Sequence, residues 1–598
     1  MLLQNFSGGL FTRLDSRLSP PNFGVIYHNI DNQTGNIESI KDDLVVDDLE
    51  FQNFHWFKDK LYQGSERFLE YKDKLIKFEA DKIPQKTDGN NMWYNLGIKE
   101  STTKLSYQVI EDEINETITE SYATDVRNFY ENIELHYIIE AYNSETEVYS
   151  YKDLYYTTKG QEESYIESIN FSFDNNNLTY KIYRYYNRKF QLVADETNNF
   201  KDAGEVIGDE LEKKTILSGN IQYAYTYYNI NDGSESRFSP LTDEIEVVSG
   251  KVKLTGFVKS SDPQVTHIRL WRVGGDLVEF TLVAELSKDV TEFIDDIKNE
   301  DLSYETLRDD NLGQAKEFNY MTEYNNMLFG IRDTKLYFSD VGNMNAWSPY
   351  NFIDFPDILT GIGATPNGLL VFTKYKTYIV TGNSPETLNK FLLDATQGCI
   401  SNTSIQSING ICLWASTDGI CASSGGPAQI QTIDRLGKLK LKPLASAVYD
   451  NVYYLSCDDK TYALDTRFNE PCIRTLDSVY TCLQVYDDTL YGNKNQRLVE
   501  LFNGLNNISY HYKSPKLTEG LLSMVKNYKV IYVYSKGDNE LTVYIDGNKV
   551  INKKLQDGLN EIKIPQPYRL GYYLELELTG TGIVYEIEYK AEGRQNGR

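Results

Sequence analysis

General bases and metal ligands are the first residue types to look for, and here they are scattered. The five histidines, His28, His55, His136, His267 and His511, are far apart, and none has a His or Cys neighbour at metal-ligand spacing. They read as structural or surface residues. The six cysteines, Cys399, Cys412, Cys421, Cys457, Cys472 and Cys482, fall in one third of the chain without a C-x-x-C pair. Free thiols packed inside strands are the expectation, rather than a disulfide framework or a metal set. The glycine-rich GIGATPNG at 361–368 lacks the spacing of a dinucleotide fingerprint and a following helix pattern, so it reads as turns. Neither a G-x-S-x-G elbow nor a Walker A sequence occurs. With 87 carboxylates, two acids at glycosidase separation would arise by chance and identify nothing. The acidic runs EDEINETITE (111–120) and DDIKNED (295–301) lack the pattern of a calcium loop and are expected to be solvated faces. The sequon at Asn115 follows from an Asn-rich composition. We expect no catalytic, cofactor-binding or metal-ligating residues, no cofactor, and a protein that is not an enzyme.

The elements that would carry any site are strands. The chain has 598 residues, enough for three or four packed units, with 47 Tyr and 26 Phe in short runs beside Val, Ile and Thr. A degenerate repeat marks the C-terminal half: NNMLFGIRDTKLYFSD from Asn325, NGLLVFTKYKTYIVTG from Asn367, NGICLWASTDGICASSG from Asn409, DNVYYLSCDDKTYALD from Asp450 and DDTLYGNKNQRLVELF from Asp487. Successive starts differ by 42, 42, 41 and 37 residues, the spacing of propeller blades, and each unit holds a hairpin with its own turn, such as Asp418-Gly419 or Asp458-Asp459. A blade cannot bury both faces alone. The similar FHWFKDKLYQGSERFLEYKDKLIKF at 54–78 is therefore expected to join the ring, for roughly six to eight blades in all.

Around the blades lie other β units. Residues 80–210 are rich in Asn, Glu and Tyr, with alternating stretches such as NLTYKIYRYYNRKFQLV (177–193) that read as exposed antiparallel strands of an insertion. In NIQYAYTYYNINDGSESRFSP, Ile221, Tyr223, Tyr225 and Tyr227 share one face before a turn at Asp232-Gly233. With no cluster of Lys or Arg beside them, these aromatics read as core rather than as a base-stacking platform. Together with KVKLTGF, VTHIRLWRV, FTLVAEL and FIDD they suggest a small sandwich resembling a fibronectin type III module. Alternation in ELTVYID before Gly547-Asn548 marks a hairpin of a terminal sandwich. The expected fold class is mainly β, a β-propeller combined with fibronectin-III-like and other β-sandwich domains. Its order is a blade-contributing segment at 1–79, a β-rich insertion at 80–210, a fibronectin-III-like sandwich at 211–305, blades at 306–504, a terminal sandwich at 505–592 and a tail at 593–598.

Charge narrows the partners. The formal balance is −27, with 87 acidic and 60 basic residues, and no basic patch of the kind phosphate contacts need. Acidity also keeps a large aromatic-rich β protein soluble. Neither a signal peptide nor a membrane span is expected, because no window approaches ~18 uninterrupted apolar residues.

The ordered set of segments resembles one family. Its carriers are FSGGLFTRLDSRLSPPNFGVIYHN (6–29), YAYTYYNINDGSESRFSP, THIRLWRV, FIDD, LYFSDVGNMNAWSP (336–349), GIGATPNGLLVFTKYKTYIVTGNSPE (361–386), GCISNTSIQSINGICLWASTDGI (398–420) and LTVYIDGNKV. Taken in this order they are similar to the tail nozzle, or tail tubular protein B, family of short-tailed bacteriophages, related to packaged-DNA stabilisation proteins. The stretch 80–210 has no counterpart in that resemblance.

The resemblance implies a homohexameric ring below the portal and adaptor proteins, contacting tail fibres. Viral double-stranded DNA would pass through its lumen during ejection without sequence-specific binding, and would be retained in the mature particle. It implies a virion component made in the host cytoplasm, acting by gating, with channel-lining and gate residues unknown. Six copies would carry 162 formal negative charges, and those lining a bore would repel phosphates within a Debye length of ~8 Å. The alternative from another class is a host-glycan-binding adhesin of the tail, and a propeller glycosidase is a third. Fold alone does not separate them.

Overall fold

A computed structural model describes the chain except residues 32, 91, 197–198, 209, 215–216, 468–470, 522 and 595–598. Among the described residues the only α-helix is Ile433–Leu436, and the rest of the regular structure is strand with short 3-10 turns. The chain divides into two units: Met1–Leu96 with Ala315–Met344 and Pro349–Arg598, and Gly97–Gln314 with Asn345–Ser348.

The first unit contains the propeller. Its innermost strands, Asn53–Phe57, Arg67–Tyr71, Tyr320–Tyr324, Leu359–Thr365, Gln406–Ile408, Pro443–Tyr449 and Cys482–Tyr486, neighbour one another in that order, and the last returns to the first. The ring therefore closes on seven blades. Blade one is the hairpin Asn53–Phe57 with Lys60–Gly64, and blades two to six each have four strands. Blade seven has three, completed by Leu44–Asp48 from the N-terminal part, which pairs antiparallel with Arg497–Glu500.

The repeat seen in the sequence is the turn between the first and second strands of each blade. Asn325-Asn326, Asp450-Asn451 and Asp487-Asp488 all have positive φ at both positions, as do Asn409-Gly410 and Lys58-Asp59. This is the two-residue hairpin turn that matches strand twist, and Asn, Asp and Gly enter it most cheaply.

Each blade buries both faces because alternate residues belong to different cores. In Gly368–Thr373, Leu369 and Val371 pack with Phe329, Ile331 and Phe338 of blade three, while Leu370 and Phe372 pack with Cys412, Trp414 and Cys421 of blade five. GIGATPNG, expected as turns, is instead mostly the innermost strand Leu359–Thr365, with its turn at Pro366-Asn367. Its glycines answer to a close approach: a Cβ on Gly361 would lie 2.5 Å from Ile405 Cδ1, and one on Gly363 2.7 Å from Ile405 Cγ2 and 2.9 Å from Cys412 Sγ.

The terminal sandwich draws on both ends of the chain. Leu2–Leu3 and Ile37–Ser39 pair with Ile583–Arg594, and Ile26–His28 links blade six to Tyr510–Lys513, so that one nine-stranded sheet runs from the blade into the sandwich. The first residues thus join the sandwich rather than a blade. Of the expected tail at 593–598, Gly593 and Arg594 are in the last strand, and 595–598 lie outside the described residues. The boundary expected at 79/80 falls inside blade two, where Lys82–Thr87 pairs with Lys74–Glu79; the change of unit comes at Leu96/Gly97.

The second unit holds two sandwiches of one design. In the later one, Leu217–Asn229, His267–Gly274, Leu277–Ser287 and the first half of Ile245–Thr255 form one sheet. The second half of Ile245–Thr255 pairs with Ser106–Ile110 and Glu292–Asp295 in the other. Ile221, Tyr223, Tyr225 and Tyr227 are all buried in its core, and the turn at Asp232-Gly233 is present. The earlier sandwich repeats the scheme, with a four-stranded sheet over 134–196 and a three-stranded sheet of Glu116–Ala123, Tyr165–Phe173 and Asn199–Asp202. Its strands are two-faced rather than simply exposed: Leu178, Tyr180 and Ile182 are core, and Tyr185 and Tyr186 face out.

Candidate functional site

The residues singled out in the sequence do not converge. His28 contacts Thr475 at 2.6 Å and Asp477; His55 meets Glu70 at 2.8 Å, His136 meets Asp153 at 3.0 Å and His511 meets Glu577 at 2.6 Å. His267 contacts Thr266 at 3.0 Å. The cysteines are free, and five are buried. Burial pushes the Cys399 and Cys421 thiols up to about 12 and those of Cys457 and Cys482 up to about 11, far from a reactive thiolate. Among the described residues no group of three His, Cys, Asp or Glu could hold a metal ion.

The acidic runs serve the fold. Glu120 accepts hydrogen bonds from Tyr122 (2.6 Å), Tyr156 (3.0 Å), Lys159 N (2.7 Å) and Gly160 N (3.1 Å). Burial raises its pKa, but these donors outweigh burial and hold the carboxyl below its usual range. The expectation of a solvated face at 295–301 fails at its first residue, because Asp295 is fully buried.

Asp295 belongs to a polar triad that sequence reasoning missed. It accepts from Tyr223 Oη at 2.5 Å and pairs with Arg272, whose Nη2 donates to Ile297 O at 2.9 Å, while Ile297 N donates back to Asp295 at 3.2 Å. Tyr223 and Arg272 are register partners on adjacent strands. The earlier sandwich has the same device: Tyr137 and Arg184 are register partners, Asp202 accepts from both at 2.9 and 2.5 Å, Arg184 Nη2 donates to Gly204 O at 2.8 Å, and Gly204 N donates to Asp202 at 2.9 Å. Burial raises both tyrosine pKa values. Each hydroxyl donates to a buried carboxylate and helps to compensate its charge pair, although Arg272 Nε is buried without a hydrogen-bond partner among the described residues. A sequence signal existed: YIIEAYN against YAYTYYN, YR against WR, and FKD against FID, in the same order.

Besides cavities of about 300 Å³ beside Arg467 and Arg474 and about 370 Å³ beside Lys77 and Lys82, two others are present. One of about 720 Å³ in the second unit is lined by Phe238, Leu241, Phe280 and Leu307 with a charged rim, where Arg308 pairs with Glu279 and Asp309 with Arg237 at 3.2 Å, while Glu100 and Asp310 add further negative charge. The other, about 310 Å³, lies on the propeller axis, where residues of the innermost strands or the loops leading into them meet. His55 stacks on Phe68 there at 5.7 Å between ring centroids, and Gln484 holds Trp56 N and O at 2.8 and 3.3 Å. Gln406 donates to Ser446 O at 2.9 Å across to the next blade. A cavity of this size is at the small end of ligand pockets.

No family model matches the sequence, and no curated protein matches it. Among solved structures, the chain is similar to BamB from Moraxella catarrhalis at 10% identity and a TM-score of 0.25, over 65% of this chain and 99% of that one. It is similar to the Dos1 propeller at 12% identity and a TM-score of 0.23, over 55% and 88%. An exo-beta-1,3-galactanase from Phanerochaete chrysosporium is similar at 8% identity and a TM-score of 0.16, over 69% and 93%. At these scores the likenesses carry no argument about function. The chain is a mainly β protein built from a propeller and sandwiches on the pairing of its own strands.

Proposed function

We propose that this protein is a structural component of a short-tailed bacteriophage particle, the tail nozzle that retains packaged DNA and conducts it during ejection. The observation that carries this reading is the ordered resemblance, whose segments lie on distinct pieces of the fold. Residues 361–386 span the first three strands of blade four and the turn after them, 398–420 lead into blade five, and the YAYTYYNINDG segment is the long central strand of the later sandwich with its turn. Within 336–349, Asn345–Ser348 leaves blade three and belongs to the second unit, where Ala346 and Trp347 are buried and Trp347 N donates to Gly313 O at 3.1 Å.

In this reading the conduit lies between copies, not through the propeller. Function then resides in assembly interfaces and in the charge of the shared lumen. Acidic side chains there repel phosphate rather than bind it. Mass photometry of the full chain, alone and mixed with its portal–adaptor ring, tests the assembly: six copies per ring are predicted, and a monomer under both conditions contradicts it.

A further inference from the structure

The axial cavity departs from the rest of the chain in charge. The sequence has 87 acidic residues, yet no Asp or Glu lines this cavity, while Arg67 and His55 do. Arg67 lies on the innermost strand of blade two, half-buried, with its guanidinium carbon 4.2 Å from the centre of the Tyr320 ring. Among the described residues it makes neither an ion pair nor a hydrogen bond. Burial lowers its pKa, the sign of a cation without a counter-charge.

Two more donors open on the same space. Asn402 Oδ1 accepts from Ile362 N at 3.0 Å, which orients the amide and leaves its NH₂ without a partner. The Thr481 hydroxyl is likewise unengaged among the described residues. The other polar side chains differ: Gln484 and Gln406 are committed to backbone groups, and His55 to Glu70. Phe68 and Met321 supply apolar wall.

A half-buried cation without a counter-charge gains by pairing, and a guanidinium whose face is covered by an aromatic ring keeps its edge free for two parallel hydrogen bonds to a planar or tetrahedral oxyanion. From Arg67, Asn402 and Thr481 we infer that the propeller axis is a binding site for a small oxyanion, or for a small molecule carrying a carboxylate, sulfate or phosphate. The cavity volume limits the ligand to the small end of metabolite size. The site belongs to one chain and does not rest on the nozzle reading; its failure leaves that reading untouched.

Isothermal titration of the full chain with inorganic phosphate, sulfate and citrate, each up to 10 mM, tests it. One-to-one binding of at least one of the three is expected, weakened at least tenfold in Arg67→Gln and unchanged in Arg332→Gln, an exposed arginine of blade three paired with Glu317. Asn402→Asp provides a second test that keeps Arg67: a negative charge on the cavity wall repels an oxyanion, so binding is lost in a protein with the wild-type unfolding profile. Binding of none of the three anions by the wild type overturns the inference. So does equal binding by the wild type and Asn402→Asp, or by the wild type and a folded Arg67→Gln.

Discussion

Asp295 and Asp202 show how buried charge is used in this chain. Each carboxylate sits between an arginine and a tyrosine hydroxyl, with the arginine also tied to a backbone carbonyl two residues beyond the aspartate. Removing one member strands the others in a low-dielectric core, so Arg272→Met should destabilise the second unit by about 3–5 kcal/mol. Replacing all three, Tyr223→Phe with Arg272→Met and Asp295→Leu, should cost less than the single change, as measured by urea unfolding. The opposite order would mean that the charges stabilise the fold on their own account.

Glu120 gives a pH dependence of known sign. Its pKa is held below the unfolded value, so its contribution is fully present above that value and is lost as pH falls through the folded one. Unfolding midpoints should therefore drop on acidification below about pH 4.3, the ordinary glutamate value, and Glu120→Gln should flatten that drop. An identical acid limb in the variant would remove Glu120 from the account.

At the scale of elements, the blades were legible where chemistry marks their turns. Asn and Asp tolerate positive φ better than other side chains, so Asn325, Asn409, Asp450 and Asp487 stand out at blade spacing. Lys58 and Lys72 occupy the corresponding turns of blades one and two, and lysine carries no such signal. That is why residues 54–78 showed hairpins but not a blade count. The earlier sandwich was illegible for another reason: its outward face is rich in Tyr, Asn and Glu, and its kinship with the later sandwich resides in the few positions of the triad. Arg67 was invisible as a site residue because its significance is what surrounds it on the closed ring, not its neighbours in sequence.

The packing between blades makes a sharp prediction. Gly363 has no room for a Cβ against Ile405 and Cys412, whereas a Cβ on Gly426 meets nothing within 4 Å. Gly363→Ala should therefore cost about 1–3 kcal/mol by overpacking, and Gly426→Ala almost nothing, in the same unfolding assay. Equal effects would mean that adjacent blades are not in the tight register described here.

At the scale of the whole molecule, one unit holds the closed propeller with the terminal sandwich that gathers both chain ends, and the other holds the pair of sandwiches. Its charge of −27 keeps a large β protein from associating without direction and, in a ring, would give DNA a wall to slide past. The adhesin reading would instead place recognition on an exposed aromatic face. Exposed Tyr155 and Tyr185 do gather with His136 and Phe190 on the four-stranded sheet of the earlier sandwich, with the His136 and Tyr155 rings stacked at 4.1 Å, so that face is where the adhesin reading would place a glycan. The central claim is the position in the particle, and immunogold electron microscopy of purified virions with antibody against this chain tests it most directly. Label confined to the axial tip of a short tail is the result predicted; label on radial fibres, or on no particle, would contradict it.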